Sequence, residues 1–270
     1  MENHDICHRT KTIKKYSYST MVTGFVNGIL AYIQAFRLIS KLKLWGYVLI
    51  PGLISLLLGT MIGMSVWNLS DNLGNFLIAF YPFEWGQSIV SSIASIFGGV
   101  LMAGSGLLLY KHAILILSAP FMSPLSEKVE NHLRGKPHTI KFSVPQMISD
   151  LIRGGKIAFR NIIREVFYMV LIILLGLLPF FSPFSAILLI LVQAFYAGFG
   201  NIDYTLERHF NVRESINFVR VNKGLALGNG LVFVGLLAIG IGFLIAPPLG
   251  AVAATVESVK RLGTSGDQFV

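Results

Sequence analysis

The chain has 270 residues, of which 54% are hydrophobic and 13% charged, with a mean hydropathy of +0.68 and a formal net charge of +9. Soluble domains carry about 25% charged residues, so this composition excludes a soluble domain and describes an integral membrane protein. A single cysteine, Cys7, excludes an internal disulfide framework.

The placement of the basic residues decides what the positive charge is for. They fall in four blocks: the start of the chain through Lys43, Lys111 to Arg164, Arg208 to Lys223, and Lys260-Arg261. The stretches 44–110, 165–207 and 224–259 contain no Lys or Arg. This asymmetry is the positive-inside pattern, and it predicts both termini and every basic block in the cytoplasm. The charge then faces anionic membrane lipids and an anionic solute, and nucleic acid is not an expected partner.

In chain order, residues 1–20 read as a basic tail without the apolar core of a signal peptide. Its His4, Cys7 and His8 lack a metal-site spacing, and no metal or cofactor is expected. Residues 21–262 read as one membrane domain and 263–270 as a second tail. Ser19 or Thr20 can cap a helix over 21–39, whose apolar residues Phe25, Ile29, Ile33 and Phe36 recur every three or four positions. The expectation is an interfacial helix. Residues 44–67 and 87–110 read as two full transmembrane helices, the first with Trp45 and Trp67 near its ends, the second rich in small residues. Residues 119–164 read as cytoplasmic amphipathic helices, one starting at Ser123-Pro124 and one at Ser143-Val-Pro145. Arg153, Lys156, Arg160 and Arg164 form a basic stripe on the second.

Two apolar pairs follow, at 166–200 and 224–257. About thirteen residues separate Glu165 from Pro179, roughly 20 Å of helix against a hydrocarbon core of about 30 Å. Pro179 and Pro183 are expected to break the first pair, Pro247 and Pro248 the second. Each reads as a partially inserted helical hairpin. Short interrupted segments of this kind point to a transport site. Glu127, Lys128, Glu130, Arg160, Arg164, Glu165, Asp203, Arg208 and Arg220 read as a structural polar network holding the hairpins.

Enzyme chemistry finds no support. The chain has no GxSxG, HExxH, Walker loop or CxxC, and Gly224-x-x-x-Gly228-x-Gly230 opens an apolar helix without a preceding strand. No charged residue interrupts the apolar segments, so a mid-membrane coupling carboxylate is not expected.

One segment is specific. Ser118-Ala-Pro-Phe-Met-Ser-Pro-Leu-Ser-Glu-Lys-Val-Glu130 resembles the P-F-x-x-P-L-x-E-K-V-E signature of CysZ-type sulfate permeases, a family that includes relatives of the etoposide-induced membrane protein. Arg160-x-x-x-Arg164-Glu165, Asp203-Tyr204, Arg220-x-Asn222 and Ala246-Pro-Pro-x-x-Ala-Val-Ala-Ala-Thr255 add to the resemblance, which spans roughly 22–257. It implies an all-α inner-membrane protein with two full spans and two partially inserted hairpins, assembled as a homo-oligomer. It also implies sulfate uptake feeding cysteine synthesis. The family's Gly-Leu-Arg-type anion element corresponds to Lys41-Leu-Lys-Leu-Trp-Gly46, which carries lysines and lacks the arginine. Arg37, Lys41 and Lys43 are therefore the anion-binding candidates. The expected function is an uncoupled or channel-like oxyanion permease; the alternative is a non-transporting, lipid-organising scaffold of the same family.

Overall fold

A computed structural model describes residues 20–79, 87–136, 144–176, 180–239 and 242–263. Residues 1–19, with His4, Cys7 and His8, residues 80–86 and Pro179 lie outside the described residues. The described chain is all helical: α1 (Met21–Lys41), α2 (Gly46–Ala79), α3 (Gln87–Leu133), α4 (Val144–Gly176), α5 (Ser182–Leu206), α6 (Val212–Val221), α7 (Lys223–Ala238) and α8 (Gly242–Gly263).

Among the described residues, four stretches are long and apolar enough to cross a membrane: Met21–Lys41, Gly46–Ser65, Leu108–Leu133 and Phe184–Leu206. α1 is capped by Thr20, whose side chain accepts from the Thr23 backbone, as the sequence predicts. Its setting differs from that of an interfacial helix. Gly24, Gly28, Ala31 and Ala35 are buried, while Val22, Val26, Leu30 and Ile33 are exposed. One face packs on α7 and α8, and the other is an apolar surface fit for lipid.

Helices continue where the prolines suggested ends. α3 runs through Pro120 and Pro124 and joins the second span to the cytoplasmic segment in one rod. Each proline removes a main-chain donor, and polar side chains from neighbouring helices bind carbonyls in this stretch. The Tyr204 hydroxyl donates to the Leu115 carbonyl, and Arg208 Nη1 donates to the Ser123 carbonyl at 3.3 Å. Likewise α4 carries the basic stripe and the first apolar arm without interruption. Pro183 starts α5 at a first-turn position, where its missing N–H costs nothing.

Pro247 and Pro248 do not break the second pair. Both lie inside α8, and the reversal falls before it, where Gly242 donates to the Ile239 carbonyl at 2.6 Å. A Cβ on Gly242 would collide with the Leu236 carbonyl, so only glycine fits that turn. The prolines are tolerated because neighbouring helices enclose this part of α8; the Leu244 carbonyl, freed by Pro248, faces Gly52 of α2. The returning helix is thus longer than its prolines implied, at 22 residues including its charged last turns.

α8 is the hub. It packs against α1, α2, α3, α5 and α7, and residues 250–259 are all buried. Its Ala251-Val-Ala-Ala254 run lets neighbours approach closely. α7 is equally compact: a Cβ on Gly230 would overlap the Ala194 carbonyl of α5, and one on Gly228 the Phe25 carbonyl of α1. Amides tie the same layer together. Asn201 Nδ2 donates to Asn229 Oδ1 at 2.9 Å, Asn229 Nδ2 to the Gly250 carbonyl at 3.1 Å, and the Tyr32 hydroxyl to the Asn229 carbonyl at 2.8 Å. α4 lies at the periphery, with Phe159, Ile163, Phe167, Leu171 and Leu174 exposed. α6 meets α7 at an 89° bend, its start fixed by a capping box between Asn211 and Glu214.

Candidate functional site

The expected polar network resolves into separate clusters. The deepest joins α3 to α4. Lys111 Nζ forms an ion pair with Glu165 Oε1, both side chains fully buried at 0% exposure. Lys111 also donates to the Gln193 carbonyl at 3.2 Å, and His112 Nε2 lies 2.8 Å from Glu165 Oε2. Because α3 is continuous, Lys111 is enclosed by α4 and α5 and does not end at the interface. Neither Lys111 nor His112 was expected in the network, since their partner lies more than fifty positions away on another helix.

A second cluster gathers on Glu130. Its carboxylate takes Arg134 Nε and Arg208 Nη2, both at 2.9 Å, and His209 Nε2 at 2.7 Å. Arg208 spans the α3–α5 junction, donating to Ser126 Oγ at 2.8 Å and to the Tyr204 carbonyl at 2.7 Å. Beneath it Ser126, Thr205 and Thr255 form a closed hydroxyl triangle with edges of 2.9–3.1 Å, binding α3, α5 and α8 at one point. This is where the Ser118–Glu130 motif does its structural task. Glu127 lines a cavity of about 400 Å³ beside the cluster, with Arg134, Lys136, Arg208 and His209. Lys128 sits over the Tyr47 ring, 4.5 Å from its centroid, and links α3 to α2.

Asp203 forms the third cluster. Arg153 grips its two oxygens at 2.9 and 3.1 Å and reaches Ser215 Oγ at 2.6 Å, tying α4 to α5 and α6. Arg153 thereby leaves the basic stripe. A small cavity between α3, α4 and α5, lined by His112, Asn161, Asp203 and Glu207, lies between the first and third clusters. Each buried carboxylate among the described residues, Glu130, Glu165, Asp203 and Glu257, is paired with a cation.

Arg160, Arg164 and Arg220 stand apart from the three clusters. Among the described residues none forms a salt bridge. With Lys223 they line a separate cavity of about 500 Å³ that no acidic side chain lines. Burial, then the charges of Arg164 and Arg220, hold the Arg160 guanidinium below its ordinary pKa. The anion candidates Arg37, Lys41 and Lys43 sit elsewhere, exposed around the α1–α2 turn, where Lys43 has a φ of 53°. They line none of these three cavities.

Among the described residues no group of His, Cys, Asp and Glu is arranged to hold a metal ion. The family model of the sulfate transporter CysZ/etoposide-induced protein 2.4 family matches residues 31–248. The chain belongs to this family. It is a family of membrane transport proteins, and the apolar helices make this member a multi-pass membrane protein. No curated protein matches the chain.

Proposed function

We propose that the protein is a permease for an inorganic oxyanion, with sulfate as the substrate, feeding sulfur assimilation and cysteine synthesis. The family match over 31–248 carries this reading. It is supported by the charge bookkeeping of the fold: the buried carboxylates are paired internally, which leaves exposed cations to meet an anion. Arg37, Lys41 and Lys43 collect the oxyanion at the start of α2, where the positive end of the helix dipole adds to the field. The protein lies in the cell inner membrane with cytoplasmic termini, acts as a homo-oligomer, and conducts without a coupling ion. The buried Glu165 is consistent with uncoupled conduction because Lys111 and His112 already occupy its oxygens.

The test is uptake of labelled sulfate into proteoliposomes. Uptake is expected to exceed that of empty vesicles, to fall in a Lys41→Ala/Lys43→Ala variant, and to be unchanged when proton and sodium gradients are collapsed. Uptake no faster than in empty vesicles overturns the permease reading in favour of the lipid-organising scaffold.

A further inference from the structure

Arg160 and Arg164 lie one turn apart on α4, Arg220 is in the last turn of α6, and Lys223 opens α7. α7 starts without a side-chain cap, so its positive end adds to the same field. Four cations converging without a lining carboxylate repel one another, and the depressed Arg160 pKa records that repulsion together with burial. A bound anion would relieve it.

The rest of the lining says which kind of anion. Leu188, Leu191, Val192 and Phe195 of α5, with Leu227 of α7, form an apolar wall above the cations. From Phe199, beside the Arg160 guanidinium at 5.9 Å, to Leu188 the wall rises roughly 16 Å along the helix. Leu188 is itself exposed on the face that carries Phe184 and Ile187, so the apolar end opens toward hydrocarbon. A small inorganic anion would satisfy the cations and leave this wall uncovered.

We propose that the cavity between α4, α5, α6 and α7 holds one anionic phospholipid. Its phosphate lies on Arg160, Arg164, Arg220 and Lys223, and an acyl chain runs along α5 past Leu191 and Leu188. The site is separate from the α1–α2 turn and does not depend on the sulfate reading.

Native mass spectrometry of the full chain, delipidated in detergent and titrated with phosphatidylglycerol or phosphatidylcholine, tests this. Phosphatidylglycerol is expected to be retained in preference to phosphatidylcholine. An Arg220→Gln/Lys223→Gln variant alters two exposed positions and is expected to weaken that retention about fivefold for each positive charge removed. An Arg37→Gln/Lys41→Gln variant, with the same loss of charge elsewhere, leaves retention unchanged. Three results would each overturn the proposal: equal retention of the two lipids, equal weakening in both variants, or displacement of phosphatidylglycerol by millimolar sulfate at constant ionic strength. The last would assign the cavity to a free oxyanion. Uptake by the Lys41→Ala/Lys43→Ala variant reads the permease proposal independently.

Discussion

α4, the outer arm of the first apolar pair, and the second pair, α7–α8, look alike in sequence and are built on opposite principles. α4 is furnished with Leu, Ile and Phe, stays at the edge of the molecule with those side chains outward, and is fastened through ion pairs, Glu165 to Lys111 and Arg153 to Asp203. α7–α8 is furnished with Gly and Ala, lies at the centre, and is fastened by backbone approach. Bulky apolar residues fill a lipid-facing surface, while small ones allow other helices in. Side-chain size, more than hydrophobicity, therefore decides which pair becomes the core.

That contrast can be broken by substitution. Glu165→Ala should have the largest effect, because it strands a fully buried Lys111; a loss of about 3–5 kcal/mol is expected. It is read as a lowered unfolding temperature in detergent, and a Lys111→Met/Glu165→Leu double variant should recover most of it. A double variant as unstable as the single one would show that the ion pair itself, and not the stranded charge, holds α4 in place. Gly230→Ala should cost about 1–3 kcal/mol, since one methyl meets the Ala194 carbonyl. Tyr32→Phe should cost about 1 kcal/mol through loss of the bond to the Asn229 carbonyl. Ile187→Ala, on the exposed face of α5, should change stability by no more than about 0.5 kcal/mol. If Ile187→Ala matched Gly230→Ala, the division into a lipid-facing pair and a packed pair would fail.

How much of this was legible depends on the range of the interaction. The apolar segments, the start of α1 at Thr20, the start of α4 at Val144 and the charge asymmetry are local features, and all were readable. The prolines misled, because soluble-protein rules made Pro124 a helix start and Pro247 and Pro248 a break, where neighbouring helices enclose the backbone. The Lys111–Glu165 pair was hidden because no local spacing relates residues on different helices. Asp203, Arg208 and Glu130 were identified as network members, yet their partners Arg153, His209 and Arg134 were not. The Arg160, Arg164 and Arg220 grouping was visible as basic residues, but its lack of carboxylate partners appears only once the helices are assembled. One missed signal was available: Ala251-Val-Ala-Ala254 is too small-featured to face lipid, which marks α8 as a central helix.

The position of α8 in the chain has a consequence for biosynthesis. α1, α2, α3, α5 and α7 all pack on it, yet it is the last of the described helices to leave the ribosome. Before Gly242–Gly263 is inserted, α1 and α5 can already pack on α7, and α2 on α3; α8 then contacts all five. The core therefore closes late, when the last of the described helices joins contacts that the earlier ones have begun.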